Sequence, residues 1–263
     1  MVTSQYSKLQ RLRIDFEYCQ LLSLTNCREL VSLQLAGFSE TSALHTAEVL
    51  SGLNSLDSLS IIGPPRGLRI RPGPGDQSKI VQSIDHHVLN RIRPLKRLVI
   101  KEGADAKFGH VFLTTRMLGS LYDRHSQSLR MLYISSSLTP DTAFTTFLEV
   151  LLMEAPNIRE LSLTWPSMQV AFVECVPASV QRLSLLVSSH TEAQAFVDRL
   201  QAIRYRLPYL RHIRFEVKNA HNGTGNAPVM APFVLPSPVD TIEKPPKYTI
   251  PFPFMLPIQN LCL

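Results

Sequence analysis

A six-residue phrase, L-x-x-L-x-L with Ile, Val or Phe at some apolar positions, recurs eight times and constrains the fold more than any other feature. The copies begin at Leu9, Leu30, Leu56, Leu95, Leu129, Ile158, Val180 and Leu210. Their starts are 21 to 39 residues apart, which is typical of a solenoid of stacked units. The last two apolar positions are two residues apart, so they project from the same face of a short strand. Stacked strands bury these side chains as one continuous core, which a single strand cannot do.

The segments between the phrases carry apolar residues at helical spacing. One segment begins with Thr139 and Pro140, which predict the N-cap and the first helical position. Another has Thr191 and Gln194 at the spacing of a capping box. Alternating strands and helices predict an α/β fold, in which eight parallel strands form a curved sheet and the helices cover one side of it.

The chain divides into a repeat region and a proline-rich tail. We predict a solenoid over residues 1–219 and a tail over residues 220–263 that is extended or packs as a C-terminal cap. The break is the turn-rich stretch NAHNGTGNAP at residues 219–228, and nine of the 19 prolines fall between residues 228 and 257. The apolar end of the tail favours the cap, because the end of a solenoid needs covering.

Eight ordered copies of the phrase resemble the leucine-rich repeat family, in its longer and irregular form, over residues 5–218. The uneven spacing is similar to that of the degenerate repeats that follow an F-box in many fungal and plant proteins. The resemblance implies a non-enzymatic protein–protein interaction module, and more specifically the substrate-recognition part of an F-box-type ubiquitin-ligase receptor. The first copy begins at Leu9, so we expect any F-box to lie upstream, and binding of a ligase adaptor only in that case.

One feature of the family is missing from the phrase. Leucine-rich repeats often place Asn or Cys three residues after the last Leu, where the side chains form a buried hydrogen-bond ladder. None of the eight corresponding positions here is Asn or Cys. We therefore expect no side-chain ladder of that kind.

The chain lacks the motifs of the common enzymes, including the P-loop, the dinucleotide fingerprint, G-x-S-x-G and H-E-x-x-H. His86 and His87 are adjacent and should point about 100° apart on a helix, and no other histidines are near each other in the sequence. We predict surface or half-buried histidines, no metal, no cofactor and no enzymatic activity. The four cysteines form no C-x-x-C pair, and no apolar run approaches about 18 residues. These patterns favour reduced thiols, a cytoplasmic or nuclear location and no membrane association.

The strand positions that alternate with the core are predicted to face the concave side of the sheet. They place Tyr133 near the centre and arginines toward both ends, and these residue types are common anchors of protein interfaces. Thr164 should share this face. The candidate binding residues are Arg97, Lys101, Tyr133, Glu160, Ser162, Arg182 and Arg214. We expect another protein as the partner.

The alternative is a binder of nucleic acid or another polyanion. Residues 64–101 contain nine basic and two acidic residues, which gives this segment a charge of +7. The whole chain has a net charge of +6, so the remaining residues are slightly acidic overall. Its candidate residues are Arg66, Arg69 and Arg71, in an insertion that the sequence also explains as a solvated loop without a partner. Binding of this kind would weaken steeply with salt. Few aromatic residues interleave with the arginines, which argues against stacking on a single strand, and we do not expect nucleic acid as the partner.

Overall fold

The computed structural model describes residues 8–15, 21–36, 42–63, 84–102, 112–217 and 233–234. Nine strands of these residues form one sheet, and their order in space follows their order in the chain. The first eight strands are parallel to their neighbours, and the ninth is antiparallel to the eighth. The strands are β1 (Arg11–Asp15), β2 (Ser32–Ala36), β3 (Ser58–Ile62), β4 (Arg97–Glu102), β5 (Met131–Ser136), β6 (Glu160–Thr164), β7 (Arg182–Val187), β8 (His212–Val217) and β9 (Phe233–Val234).

Every connection between consecutive parallel strands contains a helical segment within the described residues. The α-helices are α1 (Ala43–Ser51), α2 (His86–Arg91), α3 (Thr115–His125), α4 (Thr142–Met153) and α5 (His190–Ala202). The 3-10 helices are Leu21–Asn26, Val170–Cys175 and Arg204–Arg206. Two connections, β1–β2 and β6–β7, have a 3-10 helix and no α-helix among their described residues, and they belong to the two shortest repeats, which have fewer residues for a full α-helix. The predicted α/β fold, with eight parallel strands alternating with helices, is confirmed.

The three apolar positions of each phrase line a single core. In β5, Leu132 and Ile134 are fully buried, whereas Met131 and Tyr133 beside them are half-buried. Leu129, the first apolar position of the same phrase, is also fully buried. Burying one such side chain is worth about 1.5–3 kcal/mol, so the repeated phrase accounts for the strand side of the core.

A main-chain hydrogen-bond pattern repeats at every junction between parallel strands. The carbonyl oxygen of Arg130, just before β5, accepts from the backbone N–H of Arg159 at 2.8 Å and of Glu160 at 3.1 Å. The same double acceptance occurs at Gln10, Val31, Asp57, Lys96, Arg159 and Gln181. The pattern holds the repeats in register without requiring any particular side chain, so the residue at this position is free to vary.

The start of α4 differs from the predicted one by two residues. Asp141 is the N-cap, and its Oδ1 accepts from the backbone N–H of Phe144 at 2.6 Å. The predicted cap, Thr139, lies outside the helix and donates its hydroxyl to the carbonyl of Pro166 at 3.1 Å. Asp is at least as good an N-cap as Thr, and Asp141 lies nearer to the first buried residue of the helix.

The start of α5 shows a similar displacement. Ser189 is the N-cap and accepts from the backbone N–H of Glu192 at 3.1 Å. The carboxylate of Glu192 in turn accepts from the backbone N–H of Ser188 at 2.6 Å. The predicted pair, Thr191 and Gln194, is therefore wrong by two residues. Ser189 and Glu192 have the spacing of a capping box, and the Glu192 carboxylate reaches the N–H of Ser188, one residue before the cap.

The only tryptophan of the chain follows β6 directly. Trp165 is buried, and its ring meets the ring of Phe172 edge to face, with centroids 5.9 Å apart and planes at 84°. Phe172 belongs to the 3-10 helix Val170–Cys175. This aromatic pair fills the short connection between β6 and β7, where no α-helix is present.

Only β9 represents the predicted tail among the described residues. Its Phe233 and Val234 pair with Ile213 and His212, so β9 covers part of the outer edge of β8. The rest of the tail, including its apolar end, lies outside the described residues. Within the described part of the chain, no helix has the length and apolar character needed to cross a bilayer.

Candidate protein-binding surface

The strand residues that alternate with the core positions form the face of the sheet opposite the core, called here the open face. The structure brings the seven predicted binding residues together on this face, across five neighbouring strands. Exposed side chains on β4, β7 and β8 flank half-buried ones on β5 and β6. The residues are Arg97 and Lys101 on β4, Tyr133 on β5, Glu160 and Ser162 on β6, Arg182 on β7 and Arg214 on β8.

An ion pair joins two of the predicted residues across neighbouring strands. Arg182 Nη1 lies 2.7 Å from Glu160 Oε1, and the two residues are in register on β7 and β6. The Arg182 side chain is 65% exposed and that of Glu160 is 38% exposed, so the pair contributes at most about 1 kcal/mol to stability. It orients the two side chains on the open face and leaves both accessible.

Tyr133 on β5 is in contact with a cation of the preceding strand, β4. Lys101 Nζ lies 5.1 Å from the centroid of the Tyr133 ring, which is within the range of a cation–π contact. Tyr133 is in register with Val99, so Lys101 reaches the ring from a diagonal position. The contact orders an aromatic side chain at the centre of the open face.

The hydroxyl groups of the small polar residues on β6 and β7 are not available to a partner. The Oγ atoms of Ser162 and Ser184, in register on the open face, are covered and have no hydrogen-bond partner among the described residues. Thr164 is buried, and its hydroxyl donates to the carbonyl of Ile134 on β5. The expectation that Thr164 is presented to a partner is therefore wrong, because its side chain bonds to the neighbouring strand.

A row of exposed basic side chains borders the open face, and the sequence predictions missed it. We call Lys96, Arg130, Arg159 and Arg211 the basic row. Each occupies the position just before its strand, where the main-chain pattern sets consecutive repeats side by side. Gln181 occupies this position before β7 and interrupts the row. Comparing the second residue of the repeated phrases with one another would have found this row.

Within the part of the chain that the structure describes, the basic row is neutralised only at its N-terminal end. Lys96 Nζ lies 2.6 Å from Asp57 Oδ2, and Asp57 holds the equivalent position in the preceding repeat. Among the described residues, no carboxylate lies within ion-pair distance of Arg130, Arg159 or Arg211. The part of the row from β5 to β8 therefore remains cationic.

The basic segment at residues 64–101 is less cationic in the structure than its composition indicates. Arg66, Arg69 and Arg71 lie outside the described residues. Several described cations pair with carboxylates of earlier repeats: Arg91 lies 3.9 Å from Glu48, and Arg93 and Lys96 lie 3.7 and 2.6 Å from Asp57. The acidic partners are outside the segment in sequence, so a count of its charges could not include them.

One histidine differs from the sequence prediction. His125 is fully buried rather than exposed or half-buried. Burial lowers its pKa to about 4, so the imidazole is neutral at neutral pH. Both ring nitrogens are bonded to backbone groups of other segments. This histidine has a structural role, because it cannot reach a substrate.

His86 and His87 lie closer together than their positions on a helix suggest. Their ring centroids are 4.0 Å apart, and ligand atoms from both rings and from Asp85 lie within 4.8 Å of one another. However, Asp85 Oδ1 accepts from the backbone N–H of His87 at 2.8 Å and caps the six-residue helix α2. The positive end of the helix dipole opposes a cation there, and we assign no metal to this cluster.

The described cysteines do not favour nucleophilic chemistry. Cys27 is buried, and burial raises the pKa of its thiol. The thiol pKa of Cys175 is raised by burial, and also by nearby Glu149 and Glu174. Both are free thiols, and a raised pKa opposes the thiolate form that reacts. Cys19 and Cys262 lie outside the described residues.

No model of a known protein family matches the chain, and no curated protein matches its sequence. The open face and the basic row are therefore the features of the chain that indicate a function.

Proposed function

We propose that this chain is a non-enzymatic protein-interaction module of the leucine-rich repeat type, which binds another protein on the open face. The observation that supports it most directly is the common orientation of Tyr133 with arginines of β4, β7 and β8 on one side of a continuous sheet. Tyr and Arg are enriched among the residues that dominate interface energies.

The dimensions of the sheet suit this role. Eight strands about 4.8 Å apart, with about 18 Å of strand length each, give a face of about 700 Å². A standard interface buries about 800 Å² per partner. The sheet is held in register by main-chain bonds at every junction, so little backbone ordering opposes binding.

A role as the substrate-recognition part of a ubiquitin-ligase receptor is a finer proposal, supported by resemblance to the repeats of F-box proteins. It has its own test, which is a pull-down of a ligase adaptor with a form extended by the upstream coding sequence. Failure of that pull-down would remove the ligase role and leave the interaction module intact.

The binding proposal is tested by site-specific photo-crosslinking followed by affinity measurement. A photoreactive amino acid replaces Tyr133 on the open face or, as a matched control, Phe147, which is 37% exposed on α4. We expect a specific crosslinked protein only from position 133. With that protein purified, Tyr133→Ala and Arg182→Ala should each weaken binding about tenfold, or about 1.4 kcal/mol.

A variant of the opposite surface completes this test. Val150→Ala on α4 alters an exposed apolar side chain and should leave the affinity unchanged. If Val150→Ala weakened binding while Tyr133→Ala and Arg182→Ala did not, the open face would not be the binding surface.

A further inference from the structure

The cationic end of the basic row has a defined geometry. The backbone N–H of Arg159 donates to the carbonyl of Arg130 at 2.8 Å, so the two residues lie side by side on neighbouring repeats. Gln181 bonds to Arg159 and Arg211 bonds to Gln181 in the same way, at 2.7 and 2.9 Å. With strands about 4.8 Å apart, the three arginines span about 15 Å along the edge of the open face.

This arrangement is electrostatically unfavourable without an anion nearby. Like charges side by side on a sheet destabilise it, and no described carboxylate pairs with these three arginines. The neighbouring end of the row shows the alternative, because Asp57 neutralises Lys96 there. The same repeat position can thus hold an acid, yet three of the last four repeats hold arginine.

We propose that Arg130, Arg159 and Arg211 bind an acidic, extended peptide segment of the partner protein, which runs across β5 to β8 along the edge of the open face. This inference rests on the proposed function and names the chemistry of the partner. Each guanidinium can form two parallel hydrogen bonds with one Asp or Glu carboxylate. Gln181, between the second and third arginines, suits a neutral residue of the peptide.

The surroundings favour a peptide over nucleic acid. Nucleic-acid binders typically neutralise several more phosphates than three arginines can. Among the described residues, Tyr133 is the one large aromatic side chain of this face, and a single ring does not provide the series of stacking platforms that single-stranded nucleic acid uses.

The test is a binding titration at low ionic strength with three labelled probes. They are a peptide that alternates Glu and Ser, its Gln and Ser counterpart, and an oligothymidine. We expect the acidic peptide alone to bind, with affinity that falls as salt is added. The triple variant Arg130→Gln, Arg159→Gln, Arg211→Gln should weaken this binding at least tenfold.

A matched triple variant removes the same charge elsewhere. Arg28→Gln, Arg116→Gln, Arg206→Gln changes three arginines that are exposed and lie outside the basic row, and we expect it to keep the affinity within about twofold of the native protein. If the two triple variants lost the same amount of affinity for the acidic peptide, the inference would be overturned, because net charge alone would then explain the binding. Tighter binding of oligothymidine, or no detectable binding of the acidic peptide, would also overturn it.

The crosslinked partner separates this inference from the proposed function. If the basic-row triple variant binds that partner as tightly as the native protein while Tyr133→Ala does not, the acidic-segment inference fails and the interaction module stands. If the basic-row triple variant and Tyr133→Ala both lose affinity for that partner, the acidic-segment inference and the proposed function both hold.

Discussion

The imidazole of His125 accepts a hydrogen bond from the backbone N–H of Leu95, with 3.0 Å between Nδ1 and the backbone nitrogen. Its Nε2 lies 2.8 Å from the carbonyl oxygen of Leu89. Because the Leu95 N–H is a donor, Nδ1 is unprotonated and Nε2 donates to Leu89. The last residue of α3 thereby joins the end of α2 to the segment that leads into β4.

The stability of the fold should fall as pH drops from about 6.5 toward 4. Burial chiefly lowers the pKa of His125 to about 4, and Arg124 adds to this, while the bond to Leu89 opposes it. The folded state thus binds the proton more weakly than the unfolded chain. The stability that His125 contributes is therefore complete above pH 6.5 and is lost as the pH falls toward 4 and the imidazole becomes protonated. We expect a loss of about 2 kcal/mol between pH 7 and pH 5, measured by urea unfolding.

The variant His125→Gln provides the control for this dependence. Gln does not titrate, so the variant should be less stable at pH 7 and should lose about 2 kcal/mol less than the native protein on going to pH 5. The carboxyl groups contribute equally to both proteins. An unchanged loss in His125→Gln would show that another group causes the acid sensitivity.

Two phenylalanines on α4 should differ sharply in their contribution to stability. Phe144 is 1% exposed and Phe147 is 37% exposed. Replacing Phe144 with Ala should lower the free energy of unfolding by about 3–5 kcal/mol, because it leaves a cavity in the core. Phe147→Ala should cost about 1 kcal/mol or less. Guanidinium unfolding of the two variants checks this, and equal losses would contradict the packing of α4.

The N-cap of α4 can be tested by comparing three substitutions. Asp141→Ala should cost about 1 kcal/mol, because the N–H of Phe144 loses its partner, whereas Asp141→Asn should keep most of the stability. Thr139→Ala should cost less than Asp141→Ala, since Thr139 lies outside the helix. Thermal unfolding monitored by circular dichroism measures all three. A larger effect at Thr139 would favour the cap that the sequence indicates.

The strands and their register could be predicted because one pattern determines both. Leu132 and Ile134 are two residues apart and buried, and every copy of the phrase repeats that spacing in the same order. The helix starts were harder to predict, because Thr139 and Asp141 are both good caps and lie two residues apart. The choice between them depends on how the helix packs, which a local pattern does not contain.

The charges show a different limit of the sequence. The pairing of Lys96 with Asp57 joins residues 39 positions apart, so the composition of a single segment overestimates its free charge. The burial of His125 likewise depends on Leu89 and Leu95, which belong to other segments. The basic row could have been predicted from the sequence, because its arginines all occupy the second position of the repeated phrase.

The aromatic pair of Trp165 and Phe172 makes the chain's intrinsic fluorescence a local reporter. Trp165 is the only tryptophan, and in a stack of repeats each unit contacts mainly its neighbours. Its emission therefore follows the β6–β7 connection, whereas circular dichroism averages over all helices and strands. Unfolding transitions that coincide by the two methods mean that the whole stack unfolds as one unit, and transitions that separate give the difference in stability between this connection and the rest.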